Sequence, residues 1–162
     1  MKVKRILSFG LAIVFTLLCL AGCSEDNHNS ASVGHETLAK NLLKALYTCD
    51  TELVESCTPE FLWSFYKHGV RTSAWDFVES VDISLTYAGE LSNEEILHIE
   101  NEYANEAEIY FSIDEAHRYA YTVTAYFHEG NGDLDSETDT DHTRGVVVAK
   151  INGKWYAIFP NL

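Results

Sequence analysis

The sequence predicts an α+β domain in which N-terminal helices pack on a curved, mainly antiparallel sheet. Three observations predict it: helical spacing of apolar residues from Glu36 onward, period-two alternation further on, and a closing strand, tight turn and strand.

From Glu36 onward Leu38, Leu42, Ala45 and Leu46 recur at spacings of three and four, one face of an amphipathic helix over 36–47. Thr58, Pro59 and Glu60 then read as an N-cap, a first-turn proline and an acid at the positive end of the helix dipole. The segment 59–68 carries Phe61, Leu62, Phe65 and Tyr66 on one broad face, with Gly69 as its stop. The helical spacing of Trp63, Phe65, Tyr66, Trp75 and Phe77 favours a core role over a ligand pocket.

Ile83, Leu85 and Tyr87 alternate with Ser84, Thr86 and Ala88, as a half-buried strand requires. Ser92-Asn93-Glu94-Glu95 forms a capping box, and Ile96, Ile99 and Tyr103 continue at helical spacing, which predicts a helix over 93–105. Three strands follow at 116–128, 145–151 and 154–159. Tyr119, Tyr121, Val123, Ala125 and Phe127 share one face of the first, and Trp155, Ala157 and Phe159 point to the core from the last. Asn152-Gly153 is the preferred type I′ hairpin turn between the second and third.

The N-terminus carries a different signal. Lys2, Lys4 and Arg5 precede an uninterrupted apolar stretch at 6–20 and the small pair Ala21-Gly22, the order of a secretory signal peptide. The stretch is shorter than the roughly 20 residues that a helix needs to cross a bilayer. Leu20-Ala21-Gly22-Cys23 resembles the lipobox of bacterial lipoproteins. That resemblance implies cleavage between Gly22 and Cys23 and acyl chains on the Cys23 thiol. Two or more chains hold a protein stably on a membrane, at about 0.8 kcal/mol per buried CH₂. The expected organisation is a signal peptide over 1–22, a lipidated flexible tether over 23–35 and one α+β domain over 36–162.

Loss of 1–22 removes three positive charges and no acid, which moves the formal net charge from -14 to -17. So acidic a surface repels nucleic acid and anionic headgroups and leaves the lipid on Cys23 as the membrane attachment. Cys19 leaves with the signal, so Cys49 and Cys57 are the pair available for a disulfide. A continuous helix would hold them about 12 Å apart, beyond the roughly 7 Å limit, so a bridge needs a break near Asp50 and Thr51. Otherwise they are two buried thiols.

The helices, the strand at Ile83 and the ending Ile151-Asn152-Gly153-Lys154-Trp155-Tyr156 together resemble the cystatin-like roll superfamily that includes nuclear transport factor 2 and ketosteroid isomerase. The resemblance implies a curved sheet wrapped on a long helix, with a cone that some members use for catalysis and others only for binding or dimerisation.

No GxSxG elbow, phosphate-binding glycine loop, HExxH pair or nucleic-acid motif is present. No catalytic residue is nominated, because nine tyrosines and many acids make a paired acid and tyrosine uninformative. Asp133, Asp135, Glu137, Asp139 and Asp141 put an acid at every second position. In a strand they would form a row about 7 Å apart, so the sequence predicts a solvated loop over 129–143 that takes calcium weakly if at all. His128 and His142 flank that run and could meet at its base, although solvated hairpin positions suit them better.

The resulting expectation is a lipid-anchored extracytoplasmic binding or accessory domain without its own catalysis. Its partner is an unidentified protein or small apolar ligand, and its oligomeric state is open. Two alternatives stand beside it: a small enzyme or carrier acting on an apolar molecule inside an open cone, and a self-associating structural envelope protein.

Overall fold

A computed structural model describes residues 27–72, 78–128 and 133–160. Two units divide the chain, Met1–Ser32 and Val33–Leu162, and every contact below lies within the second. The described elements are α1 (Asn27–Tyr47), α2 (Thr51–Cys57), a 3₁₀ turn (Glu60–Leu62), α3 (Trp63–Thr72), β1 (Val78–Glu90), α4 (Asn93–Glu106), β2 (Glu115–His128), β3 (Leu134–Ile151) and β4 (Lys154–Ile158). The strands form one curled antiparallel sheet in the order β1-β2-β3-β4. This is the α+β class that the sequence predicts.

α1 begins at Asn27, so 27–35 are helical where the sequence suggested a tether. Once the apolar face after Glu36 is packed, adding a turn upstream costs no new nucleation. His35, assigned by its composition to the tether, is buried at 7 % exposure. The helix ends where Cys49 adopts a left-handed φ of 55° and the Asp50 N–H reaches back to the Ala45 carbonyl at 2.9 Å. Asp50 then caps α2, its carboxylate accepting from the Glu52 and Leu53 amides at 3.1 and 3.0 Å. The break required for a bridge is present, but Cys49 and Cys57 are thiols and not a disulfide. Each packs into a different apolar cluster, Cys57 beside Leu42 and Leu43 and Cys49 beside Ala45 and Val54.

Thr58 ends α2 and does not start the next helix. Its hydroxyl donates to the Val54 carbonyl at 2.7 Å, and its ψ of 158° is the extended state that a following proline imposes. The chain makes the 3₁₀ turn and enters α3 at Trp63, and α3 continues through Gly69 to Thr72. Trp75 and Phe77 lie outside the described residues.

The capping box forms as expected. The Ser92 N–H donates to Glu95 Oε2 at 2.8 Å and the Glu95 N–H returns to Ser92 Oγ at 3.3 Å. Asn152 and Gly153 take φ of 53° and 76°, the type I′ pair that joins β3 to β4.

The sheet is covered unevenly. Val146, Val147, Val148 and Ala149 of β3 have no exposed surface, which requires an apolar layer on both faces. On one face Ala39, Leu42 and Leu43 of α1 pack with Val123, Val146 and Val148. On the other, Ile99 and Tyr103 of α4 and Tyr66 of α3 pack with Val147, Ala149 and Ile158. Burying each such aliphatic side chain contributes about 1.5–3 kcal/mol. Trp155 shares the α1-side cluster but is only half-buried, which corrects its expected full burial.

Gly145 marks where the double cover stops. Its φ is 63°, the β2–β3 register shifts between Tyr119 and Tyr121, and a Cβ there would stand 2.2 Å from the Tyr119 carbonyl oxygen. Beyond this bulge β3 continues as the acidic run, with Asp141 opposite Tyr121, Asp139 opposite Val123, Glu137 opposite Ala125 and Asp135 opposite Phe127.

Candidate functional site

That last pairing overturns the loop expected at 129–143, since 134–141 is strand. Asp135, Glu137, Asp139 and Asp141 lie on the same sheet face as Val123 and Ala125, and Asp133 stands just before the strand. The ladder to β2 fixes the backbone, and the opposite face adds Thr124–Thr138 and Thr140–Thr122 hydroxyl pairs at 3.0 and 3.3 Å. These contacts offset the repulsion that argued for a loop.

Several of the acids take hydrogen bonds, Asp135 from the Ser136 amide at 2.7 Å among them. Tyr47 Oη donates to Asp139 Oδ2 at 2.5 Å, and burial followed by this bond pushes the phenol's pKa up. Asp141 accepts the Thr143 and Arg144 amides at 2.8 Å each. Burial works to raise its pKa, but these amides and that of Gly145 outweigh burial and hold it below the usual carboxylate range. Extended spacing keeps the carboxylates in a row, and among the described residues no three His, Cys, Asp or Glu side chains gather to hold a metal ion. His128 and His142 do not meet. His128 pairs with Glu79 at 2.9 Å, whereas His142 follows Asp141, which stands opposite Tyr121, and so lies about 26 Å along the sheet at 3.3 Å per residue. Gly22 and Cys23 lie outside the described residues.

Two surface features have no counterpart in the sequence reading. One is a groove of about 690 Å³ between α4 and the bulge, with Glu94, His98 and Glu102 on the helix side and Arg118 and Arg144 on the sheet side. Its charges are already matched in part: Arg118 Nη1 meets Glu95 Oε1 at 3.0 Å, and His98 meets Glu102 at 3.4 Å. Bonds from the Ser92 amide and hydroxyl, then Arg118, hold Glu95 below the usual carboxylate range. Leu97, 55 % exposed, stands on the same wall.

The other is an aromatic patch. Phe61 on the 3₁₀ turn and Phe65 on α3 are 42 % and 37 % exposed. Phe61 stacks on Phe111 with centroids 5.2 Å apart, and Phe111 and Phe65 lie 5.2 and 6.4 Å from the buried ring of Tyr103. Phe111 and Phe65 thus flank one core tyrosine, Phe61 packs on Phe111, and all three keep part of their surface in water. The sequence named Phe61 and Phe65 as one helical face but gave no sign that Phe111, far along the chain, completes it.

Between α1 and the sheet, Leu42, Leu43, Val123, Val146 and Val148 are each 0 % exposed and form one apolar cluster.

Compared with known proteins, the chain matches no family model, no curated protein and no solved structure. Among the described residues, no helix is long and apolar enough to cross a membrane.

Proposed function

We propose that the mature chain is a lipid-anchored extracytoplasmic binding module that works through its surface and performs no chemistry of its own. The observation that carries this reading is the pairing of a filled sheet interior with the open aromatic patch Phe61, Phe65 and Phe111. The aliphatic side chains packed between α1 and the sheet leave no room there for an apolar substrate. Exposed aromatic rings on a rigid base are what a protein partner with an apolar surface recognises. The charge-lined groove beside α4 offers polar contacts of the kind that partner surfaces combine with apolar ones. The sequence resemblance to the cystatin-like superfamily, in which many members serve only for binding, is in keeping with this reading.

The anchoring half rests on the signal-like stretch at 6–20 and on Cys23. Metabolic labelling with a radioactive fatty acid tests it: the wild type takes up label and Cys23→Ala does not, and equal labelling overturns the anchor. The binding half is tested in cells with a photoreactive phenylalanine in place of Phe65. A discrete crosslinked species that is absent when the probe sits at the exposed Thr140 supports the patch. No adduct at Phe65, or the same adducts at both positions, overturns it.

A further inference from the structure

Four aromatic rings from four elements meet where α1 crosses the sheet. His35 of α1 lies against Trp155 of β4 with centroids 4.2 Å apart and against His117 of β2 at 4.9 Å, and His117 and Trp155 are themselves 5.4 Å apart. The fourth ring, Tyr87 of β1, approaches His117 at 6.0 Å. The charged groups facing this stack are Glu115 of β2, whose Oε1 lies 3.2 Å from His117 Nε2, Lys150 of β3, and Glu90 of β1, which stands opposite His117 in the register. Lys150 Nζ sits 3.8 Å from Glu115 Oε2 and 5.6 Å from the Trp155 ring centre. Glu36, next to His35 on α1, faces Tyr119.

We propose that the stretch of α1 around His35 is an acid-released latch, closed while His35 and His117 are neutral and opened when both imidazoles take up protons.

The hydrogen bonds fit the closed, neutral form. The Glu115 carboxylate only accepts, so His117 Nε2 carries the hydrogen. Nδ1 is then the acceptor for the Tyr87 hydroxyl at 3.2 Å, and one neutral tautomer satisfies both contacts. A second proton on Nδ1 ends that acceptance. Two imidazolium rings under 5 Å apart repel, and the His35 ring, 7 % exposed, has little water to receive its charge. Glu115 and the face of Trp155 favour a cation and act against release. Burial and then His117 outweigh them and hold His35 below its ordinary pKa. The folded form therefore binds this proton less readily than the open form. Docking is at full strength above the ordinary imidazole range and is lost as pH falls below it. Opening frees the stretch of α1 around His35 from the sheet but leaves the doubly covered strand residues 146–149 in place. The latch stands whether or not Cys23 carries lipid.

Hydrogen exchange on the full chain in detergent, read by mass spectrometry and corrected for intrinsic rates, compares about pH 7.5 with about pH 5. Protection over 33–43 falls about tenfold in acid while 146–149 stays protected. His35→Phe keeps a ring without a proton and shows no acid-dependent fall. Unchanged wild-type protection overturns the proposal, as does an equal fall in His35→Phe. If His35→Phe is already unprotected at neutral pH, His117→Gln decides. There the acid-dependent fall shrinks and the His35 titration midpoint, followed by NMR, moves up. A midpoint that stays where the wild type has it overturns the latch.

Discussion

The hydroxyls of Tyr66 and Tyr103 are 2.7 Å apart in the core, and between them they hold both backbone groups of Phe159. The Phe159 N–H donates to Tyr66 Oη at 2.8 Å, and Tyr103 Oη donates to the Phe159 carbonyl at 2.9 Å. Each phenol has one hydrogen, so Tyr66 must donate to Tyr103 and the circuit closes in one direction. Tyr103→Phe leaves the Phe159 carbonyl without its donor and the Tyr66 hydroxyl hydrogen without an acceptor, although Tyr66 Oη still accepts the Phe159 N–H. The expected loss is about 1–3 kcal/mol per buried group stranded, measured by chemical denaturation.

The same circuit sets an alkaline limit. Burial pushes Tyr66 up to about 12, although its bonds to Tyr103 and Phe159 pull the other way. The folded protein therefore holds this proton more tightly than the unfolded chain, whose phenol titrates near 10. The stabilisation is complete below about pH 10 and drains away as pH rises through about 12. Thermal melts from neutral pH upward should show a falling Tm in that window, and a smaller fall in Tyr66→Phe.

Gly145 and Gly153 both have positive φ but differ in surroundings. A Cβ on Gly145 would collide with the Tyr119 backbone, whereas nothing lies within 4 Å of one on Gly153. Gly153→Ala should cost only the left-handed strain of about 1–2 kcal/mol. Gly145→Ala should cost more than that, about 3 kcal/mol or above, and shift the amide resonances of 118–121.

Much of the fold could be read because its signals are local. Ser92 and Glu95 cap each other across one helical turn, Asn152-Gly153 dictates its own turn, and the alternation from Tyr119 to Phe127 needs no distant partner. The first half of β3 could not be read this way. Its own residues repel, and what makes it a strand is the ladder to β2 and the hydroxyls of Thr122, Thr124 and Tyr47. The aromatic patch failed to show for a related reason, because Phe111 joins Phe61 only through the tertiary fold. His35 sat in a stretch whose polar composition gave no hint of burial, and its partners His117 and Trp155 lie on strands far along the chain.

If carboxylate repulsion strains β3, weakening it should stabilise the strand. Two unit charges about 7 Å apart in water repel by about 0.6 kcal/mol at low salt. Asp135→Asn with Glu137→Gln should slow amide exchange over 134–140, and added salt should do the same for the wild type by screening. Faster exchange in the double variant would mean that these carboxylates make contacts the strand depends on.

Trp155→Ala should cost about 2 kcal/mol, less than for a fully buried tryptophan, because the half-buried ring, packed on His35 and under Lys150, withdraws less of its surface from water. Denaturation at neutral pH measures it, and a loss above about 4 kcal/mol would place the ring deeper than its exposure indicates.

The contacts that close this domain are far apart in sequence. Tyr47 reaches Asp139 across 92 positions, and Tyr66 reaches Phe159 across 93. Neither can form until a loop of that size has been gathered in, and gathering it sacrifices chain entropy before any bond compensates. Local helices can appear in microseconds, but the sheet and its tyrosine lock must wait for these rare long-range encounters. The domain should therefore acquire its native state on the millisecond-to-second scale of non-local β topologies. During that interval the valine run of β3, destined for cover on both faces, is open to the wrong neighbours.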